Sequence, residues 1–285
     1  MNRVAIVCKP HKEGLSGVVP GLVNWLREHS YEPIVDREGG AFCGDAEVVD
    51  RAELPLYNPV LVIVLGGDGT LLSVARVFAT TGTPILGVNL GFLGFLTEIR
   101  LADLYSTLEG WCADCHKLDA RAMLHSALLR DGAELTSFEA LNEVVVSKKD
   151  IARMGQFAVE LDGRPVAKFR ADGVIVSTPT GSTAYTLAAN GPILTPSVDA
   201  LVVTPICPHL LTLRPIVVPG EAIVTVRVEG VPSHCLLTVD GQQAVEMRLG
   251  DEVRCQRSEN TVNLVRIRES GFFDALRSKL GWGER

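Results

Sequence analysis

The sequence predicts an α/β N-terminal domain on an open, mostly parallel sheet, then a β-rich C-terminal domain and a C-terminal helix that returns to the first domain. Three observations predict it. Short apolar runs alternate with helix-period segments from residue 3 to about 100, β-branched runs broken by Asp-Gly pairs take over beyond about residue 118, and an amphipathic segment closes the chain. The corresponding boundaries are 1–115, 116–268 and 269–285.

In order, Val4 to Val7 reads as a buried strand, and Leu15, Val18, Val19, Leu22, Trp25 and Leu26 follow helical spacing. Glu32 to Val35 is a candidate strand and Gly39 to Gly44 a loop. Val60 to Leu65 is the strongest strand, Leu71 to Phe78 is helix-periodic and Pro84 to Val88 is a further strand. In the second half the Asp-Gly pairs at 131–132, 162–163 and 240–241 are hairpin-turn signals, and Ile223 to Val228, Cys235 to Val239 and Thr261 to Ile267 read as strands. Phe272, Phe273, Leu276 and Leu280 mark the closing helix, for which the first domain's sheet is the expected partner.

A chain of 285 residues exceeds one average domain, and 47% apolar with 21% charged residues fits a globular protein with a real core. Its first ten residues lack the charged, apolar and small-residue succession of a signal peptide, and no apolar run reaches membrane-spanning length. Seven scattered cysteines, an odd number, fit reduced thiols of a cytosolic protein. A cytoplasmic location with no membrane partner is therefore expected. A net charge of −7 supplies no field that would attract nucleic acid, so anionic small molecules must be held by local devices such as backbone N–H groups, a few arginines and a metal ion.

Four segments carry chemistry. Gly66-Gly67-Asp68-Gly69-Thr70 lies at the carboxyl end of the strongest strand and directly before a helix, where open α/β sheets bind phosphates. Asp68 is out of place among phosphates unless it binds a cation or accepts a proton from an incoming hydroxyl; the plainer reading is a helix cap. Asn89 to Thr97 is a glycine and phenylalanine loop in which Phe95 would wall a pocket against a base or ribose, or simply pack. Asn142-Glu143 precedes the strand Val144 to Val146, and an amide beside an acid suits the two hydroxyls of a ribose, although such a pair is also an ordinary strand end. Phe169 to Tyr185 runs from Arg170 and Asp172 through a strand into a loop of five hydroxyl side chains, Thr180 among them, and an aromatic ring that suits a purine and its sugar. Hydroxyl-rich loops are also simply soluble. Neither a Walker-type loop nor a spaced G-x-G-x-x-G is present, so the phosphate loop is of another kind.

Together these segments resemble the bacterial NAD kinases, whose hallmarks are the GGDGT loop, the Asn-Glu pair, and an Asp-Gly strand leading into Ser-Thr-Pro-Thr-Gly-Ser-Thr-Ala-Tyr. The match runs in order over nearly the whole chain. The resemblance implies a cleft between two domains that binds NAD, and phosphorylation of the adenosine-ribose 2′-hydroxyl by ATP or polyphosphate to give NADP. It implies Asp68 as proton acceptor with Gly69 beside it, Asn142 and Glu143 on the ribose, and Asp172 near the nicotinamide end. Thr183, Ala184, Tyr185, Thr186, Leu187 and Ala188 would line the adenine side, with Arg153, Arg170 and Gln242 as further contacts. Assembly as homodimer or homotetramer is implied as well. A divalent cation, Mg²⁺ or else Mn²⁺, is expected because two phosphate-bearing substrates meet on an acidic protein.

Three rival readings remain at this stage. Cys112-Ala113-Asp114-Cys115-His116 fits a haem-attachment spacing, but the chain shows no export signal, and a zinc site would want two more ligands. A lipid kinase of the diacylglycerol or sphingosine type would share the GGDGT loop but has no reason for the Asp172 to Tyr185 block. A non-catalytic dinucleotide sensor would keep the pocket and not need a carboxylate at position 68.

Overall fold

A computed structural model describes residues 1–91, 94–149, 153–230, 234–266 and 272–281. The chain divides into two compact units, Met1–Ala120 with Thr261–Arg285, and Arg121–Asn260. The return to the first unit thus begins before position 268, where the sequence pattern draws it. The reason is pairing: Leu264, in the last long strand, lies beside Ile85 of the first unit. Ile267, expected to end that strand, lies outside the described residues.

The first unit follows the predicted alternation. β1 (Asn2–Cys8), α1 (Leu15–Glu28), β2 (Tyr31–Asp36), the short α2 (Arg37–Gly40), β3 (Glu47–Val49), β4 (Leu61–Gly66), α3 (Asp68–Val77), β5 (Ile85–Asn89), the two-residue β6 (Ile99–Arg100) and α4 (Leu104–Cys112) follow in order. The expected loop at 39–44 opens on the last two residues of a helical turn, which Asp36 caps by accepting from the Gly39 N–H at 3.2 Å. α4 falls in a stretch for which the sequence reading assigned no element. The strands lie parallel in the order β3-β2-β1-β4-β5, and β4 is buried along its whole length, as a strand covered on both faces must be. β1 and β4 flank the point where the strand order reverses, the place where such sheets bind ligands beyond the strand ends.

The second unit is antiparallel. β7 (Lys117–Arg130), β8 (Ala133–Ala140), β9 (Glu143–Lys148), β10 (Gly155–Leu161), β11 (Arg164–Ala171), β12 (Gly173–Ser177), α5 (Tyr185–Ala188), β13 (Ala200–Ile206), β14 (Ile216–Pro219), β15 (Val224–Val228), β16 (His234–Val239), β17 (Gln243–Arg248) and β18 (Glu252–Arg266) make it up, with both long strands β7 and β18 reaching into the first unit. β14-β13-β12-β9-β16-β17 form one sheet, and β11-β10-β15-β18 pair in the other. Alternate residues such as Val144 and Val146, Val174 and Val176, Val224, Val226 and Val228, and Cys235, Leu237 and Val239 fill one core, the period-two signature of strands with one face inward. All three Asp-Gly pairs sit in hairpins with both residues at positive φ, between 48° and 79°.

The closing helix α6 (Phe272–Leu280) buries Ala275 and Leu276 while Phe273 and Leu280 stay exposed, a narrower apolar stripe than its sequence suggests. None of the described helices is long and apolar enough to cross a membrane.

α3 is anchored through a buried ion pair. Asp36, 1% exposed at the end of β2, accepts from the Cys8 and Gly39 N–H groups and from Arg51 Nη2 at 2.6 Å; Arg51 Nη1 in turn donates to Ser73 Oγ on α3 at 3.0 Å. Removing one partner of such a pair leaves a charge and two N–H groups without acceptors. Asp36→Ala is expected to lower the unfolding free energy by about 3 kcal/mol, read from the denaturant midpoint at unchanged slope.

Candidate active site

In the first unit the site is built where β4 and β5 end. Gly66 pairs in register with Asn89, and the Leu90 N–H donates to the Gly66 carbonyl at 3.1 Å, so the GGDGT loop and the Asn89–Thr97 loop leave the sheet side by side. Gly66 packs against Thr70, since a Cβ would lie 2.5 Å from Thr70 Oγ1, whereas a Cβ at Gly67 would meet nothing within 4 Å. Gly67 therefore borders open space at the N-terminus of α3, and Gly69 is exposed.

Asp68 does not cap its own helix. Gly67 holds the cap position, and the Asp68 carboxylate reaches across to the neighbouring loop. Its Oδ2 accepts from Phe95 N (2.8 Å); its Oδ1 accepts from Leu96 N (3.1 Å), Thr97 N (3.0 Å) and Thr97 Oγ1 (2.9 Å). Asn89 Nδ2 donates to the same Thr97 hydroxyl at 3.0 Å, and Asn89 Oδ1 accepts from Gly91 N. A carboxylate offers about four acceptor positions, two on each oxygen. Oδ1 is saturated, and Oδ2 keeps one position open. Gly94 makes the approach possible, because a Cβ there would stand 1.8 Å from Asp68 Oδ1. The Phe95 ring is half-buried and faces the Lys279 ammonium of α6 at 4.6 Å. Phe92 and Leu93 lie outside the described residues.

In the second unit the structure brings Asn142, Glu143, Thr178 to Thr183 and Tyr185 together around one turn. Asn142 and Glu143 are both buried. Thr178 N donates to Asn142 O at 2.9 Å and Thr178 Oγ1 to Leu141 O at 2.6 Å; Gly181 lies so close that a Cβ would meet Asn142 O at 2.2 Å. The loop hydroxyls mostly serve the loop itself. Ser177 Oγ donates to Thr178 O, Ser182 Oγ to Pro179 O, and Thr183 Oγ1 to Thr180 O, while Thr180 Oγ1 accepts from Arg121. Tyr185 is 46% exposed, Ala188 exposed, and Ala184 and Leu187 half-buried. Thr186 is fully buried, and its hydroxyl lacks a partner among the described residues.

One residue of this cluster was read only as a turn signal. Asp240 Oδ1 accepts from Asn142 N (2.8 Å) and Glu143 N (3.2 Å), and its Oδ2 from Leu141 N (3.1 Å). A hairpin signal that ends a strand beside the Asn-Glu strand was the available clue. Burial, reinforced by the neighbouring Asp240 charge, pushes the Glu143 carboxyl up to about 8 against the lowering pull of the Tyr185 N–H.

Asp172 sits apart from that turn. Asp172 and Ser177 flank opposite ends of β12, so about 15 Å of strand separates Asp172 from the Asn142–Glu143 end. Its carboxylate pairs with Lys148 Nζ at 2.7 Å. Arg153, Arg170 and Gln242 are exposed. Among the described residues no three His, Cys, Asp or Glu side chains gather as a metal site. Cys112 and Cys115 are free and exposed, and the His116 ring lies 4.3 Å from that of Trp111.

The family descriptions of the ATP-NAD kinase N-terminal and C-terminal domains match residues 59–115 and 141–267. An NAD kinase of Acidobacterium capsulatum is 60% identical over 285 residues, and one of Koribacter versatilis 50%, each covering 100% of both chains. The chain belongs to the NAD kinase family. Its fold is similar to that of yeast NADH kinase crystallised with NADH, at a TM-score of 0.92 and 23% identity over 100% of this chain and 89% of that one. It is also similar to an NAD kinase from Archaeoglobus fulgidus in complex with ATP, at 0.77 and 26% over 97% and 99%. The match to NAD kinases extends through the second unit, which a lipid kinase sharing only the GGDGT loop would have no reason to share.

The close approach at Gly94 is directly testable. Gly94→Ala places a methyl group where Asp68 Oδ1 stands, so the loop must leave the carboxylate. Backbone amides of Phe95, Leu96 and Thr97 are expected to exchange with solvent at least roughly fivefold faster, one lost hydrogen bond being worth about 1 kcal/mol. Unchanged exchange at these three amides would show that the contact is not maintained in solution.

Proposed function

We propose that this chain transfers the terminal phosphoryl group of ATP to the 2′-hydroxyl of the adenosine ribose of NAD, giving NADP and ADP. The observation that carries this reading is the Asp68 carboxylate at the first turn of α3, held by the Gly94–Thr97 loop with one Oδ2 position left to accept. A ribose hydroxyl is a weak nucleophile at neutral pH. As its oxygen forms the new bond to phosphorus, the bond from phosphorus to the bridging oxygen of ADP breaks, and the hydroxyl proton goes to Asp68. Gly66, Gly67, Gly69 and Thr70 present the open N-terminus of α3 to donor phosphates.

NAD is assigned to Asn142 and Glu143 at its ribose, with Thr180, Thr183, Ala184, Tyr185, Leu187 and Ala188 on the adenine side. Thr186 serves through its backbone, because its side chain is buried. The strand length between Ser177 and Asp172 matches the reach of an extended dinucleotide, which supports Asp172 and Arg170 at the nicotinamide end. Phe95, Arg153 and Gln242 complete the set, and polyphosphate is the alternative donor.

Magnesium, or manganese in its place, enters as part of the donor. The described residues offer no carboxylate cage, and Asp68 has little acceptor capacity to spare, whereas Mg²⁺ binds through substrate phosphates with few protein ligands. We place the enzyme in the cytoplasm as a homodimer or homotetramer, consistent with free cysteines and an exposed Arg153.

Three measurements test the reading. Asp68→Asn at saturating NAD, ATP and Mg²⁺ is expected to lose roughly 10²- to 10⁴-fold in kcat. Turnover within a few-fold of the parent would remove Asp68 as the base. Because an amide also mismatches one of the four loop donors, amide exchange at residues 95–97 is measured alongside, and Gly94→Ala reports what loop release alone costs. Excess chelator should abolish NADP formation, and full turnover in its presence overturns the magnesium-bound donor. Tyr185→Ala should raise KM for NAD roughly tenfold with kcat little changed, since stacking serves ground and transition states alike.

A further inference from the structure

The hairpin between β16 and β17 does more than reverse the chain. Asp240, buried and left-handed at φ 48°, accepts from three consecutive backbone N–H groups, Leu141, Asn142 and Glu143, and its own N–H donates to the Glu143 carbonyl at 2.9 Å. Thr178 and Gly181 close the other side of the same turn. Into this frame the Glu143 side chain is set with 6% exposure, and its Oε2 has no hydrogen-bond partner among the described residues. A buried carboxyl oxygen without a partner is rare, and it needs an explanation that the fold alone does not supply.

Several groups face Glu143. The hairpin brings Asp240, α5 brings the Tyr185 N–H, and β12 brings Ser177 as cross-strand neighbour; on the nearby 180–183 turn Thr180 accepts from Arg121 at 3.4 Å. Lys148 and Asp172 pair with each other at the far ends of β9 and β12.

We propose that Asp240 is a positioning residue for the acceptor nucleotide: it sets the Asn142–Glu143 pair and keeps the Glu143 carboxyl a hydrogen-bond donor, aimed through Oε2 at a ribose oxygen. This rests on the assignment of the NAD ribose to Asn142 and Glu143. Three N–H donors surround the Asp240 carboxylate, and a carboxylate beside a buried acid favours the neutral acid. Glu143, pushed up to about 8, carries its proton at neutral pH and loses it as pH rises through that value. The donated hydrogen bond is therefore present below about pH 8 and lost above it. The ionised form would also set two carboxylates side by side.

NAD binding measured by calorimetry from about pH 6.5 to 9.5 tests this. The parent Kd is expected to be flat below the transition and to rise up to tenfold per pH unit above it, as required of a group that must be protonated. Glu143→Gln, which donates at every pH, should abolish the rise. Asp240→Asn removes the anion and one acceptor of the clamp, so it should weaken binding roughly tenfold and move the rise to lower pH. A flat parent profile, an unmoved transition in Asp240→Asn, or a Glu143→Gln variant that still follows the parent curve overturns the proposal. If Asp240→Asn does not fold, the parent and Glu143→Gln curves decide alone. NADP formation by the parent at pH 7 is assayed separately. Binding with the expected profile but no NADP would overturn the kinase chemistry and keep this proposal; NADP with a flat profile would do the reverse.

Discussion

Consecutive backbone N–H groups that leave a strand for a turn have lost their ladder partners, and buried ones must find an acceptor. Twice in this chain one carboxylate meets that need for three residues in a row: Asp68 for Phe95, Leu96 and Thr97, and Asp240 for Leu141, Asn142 and Glu143. Both carboxylates come from a neighbouring connection far away in sequence. Each therefore ties two loops into one object, and Phe95, Asn142 and Glu143 are residues of those objects. A helix or strand positions a side chain by its regular geometry; here irregular backbone is positioned by a side chain.

The 177–183 loop solves the same accounting problem differently. Its hydroxyls return bonds to carbonyls a few residues away, and Thr178 takes two roles at once, donating to Leu141 O and accepting from Gly181 N. A loop that satisfies itself in this way is rigid before any ligand arrives. Its glycine at 181 serves contact with Asn142 and not a left-handed turn. The composition that looks suited to recognising a sugar is largely consumed in holding shape, which leaves exposed groups such as Tyr185 and the turn backbone for recognition.

These loops also show what was legible in the sequence and what was not. Val60 to Leu65 and the three Asp-Gly hairpins were readable because burial on both faces and the left-handed turn leave local marks. Asp68 stood out as a residue type out of place in its surroundings, whereas Asn142 and Glu143 by themselves read equally as an ordinary strand end. The bond from Asp68 to residues 95–97 was not readable, because it spans 27 to 29 positions and depends on β4 and β5 ending in register. Asp240 was visible only as half of a turn signal. Its reach to a segment 97 to 99 positions away follows from β16 lying beside β9, a pairing that no local pattern announces. The change of unit at 260–261 is hidden for the same reason: β18 runs unbroken from Glu252 to Arg266, and no turn signal marks where it passes from one unit to the other.

The electrostatic problem posed by the composition is answered in the same places. A chain of net charge −7 that handles two phosphate-bearing substrates carries four acidic side chains in its candidate set, Asp68, Glu143, Asp172 and Asp240. None of them presents a bare charge. Asp68 and Asp240 are surrounded by N–H dipoles, Asp172 is paired with Lys148, and Glu143 holds a proton at neutral pH. At the range of a hydrogen bond, an anion sees donors and neutral groups and not the formal charge count. Beyond about 10 Å salt screens the rest of the protein. Local compensation of each carboxylate is thus what reconciles an acidic sequence with anionic ligands, and it is why removing a compensating partner should matter more here than adding or removing a surface charge elsewhere.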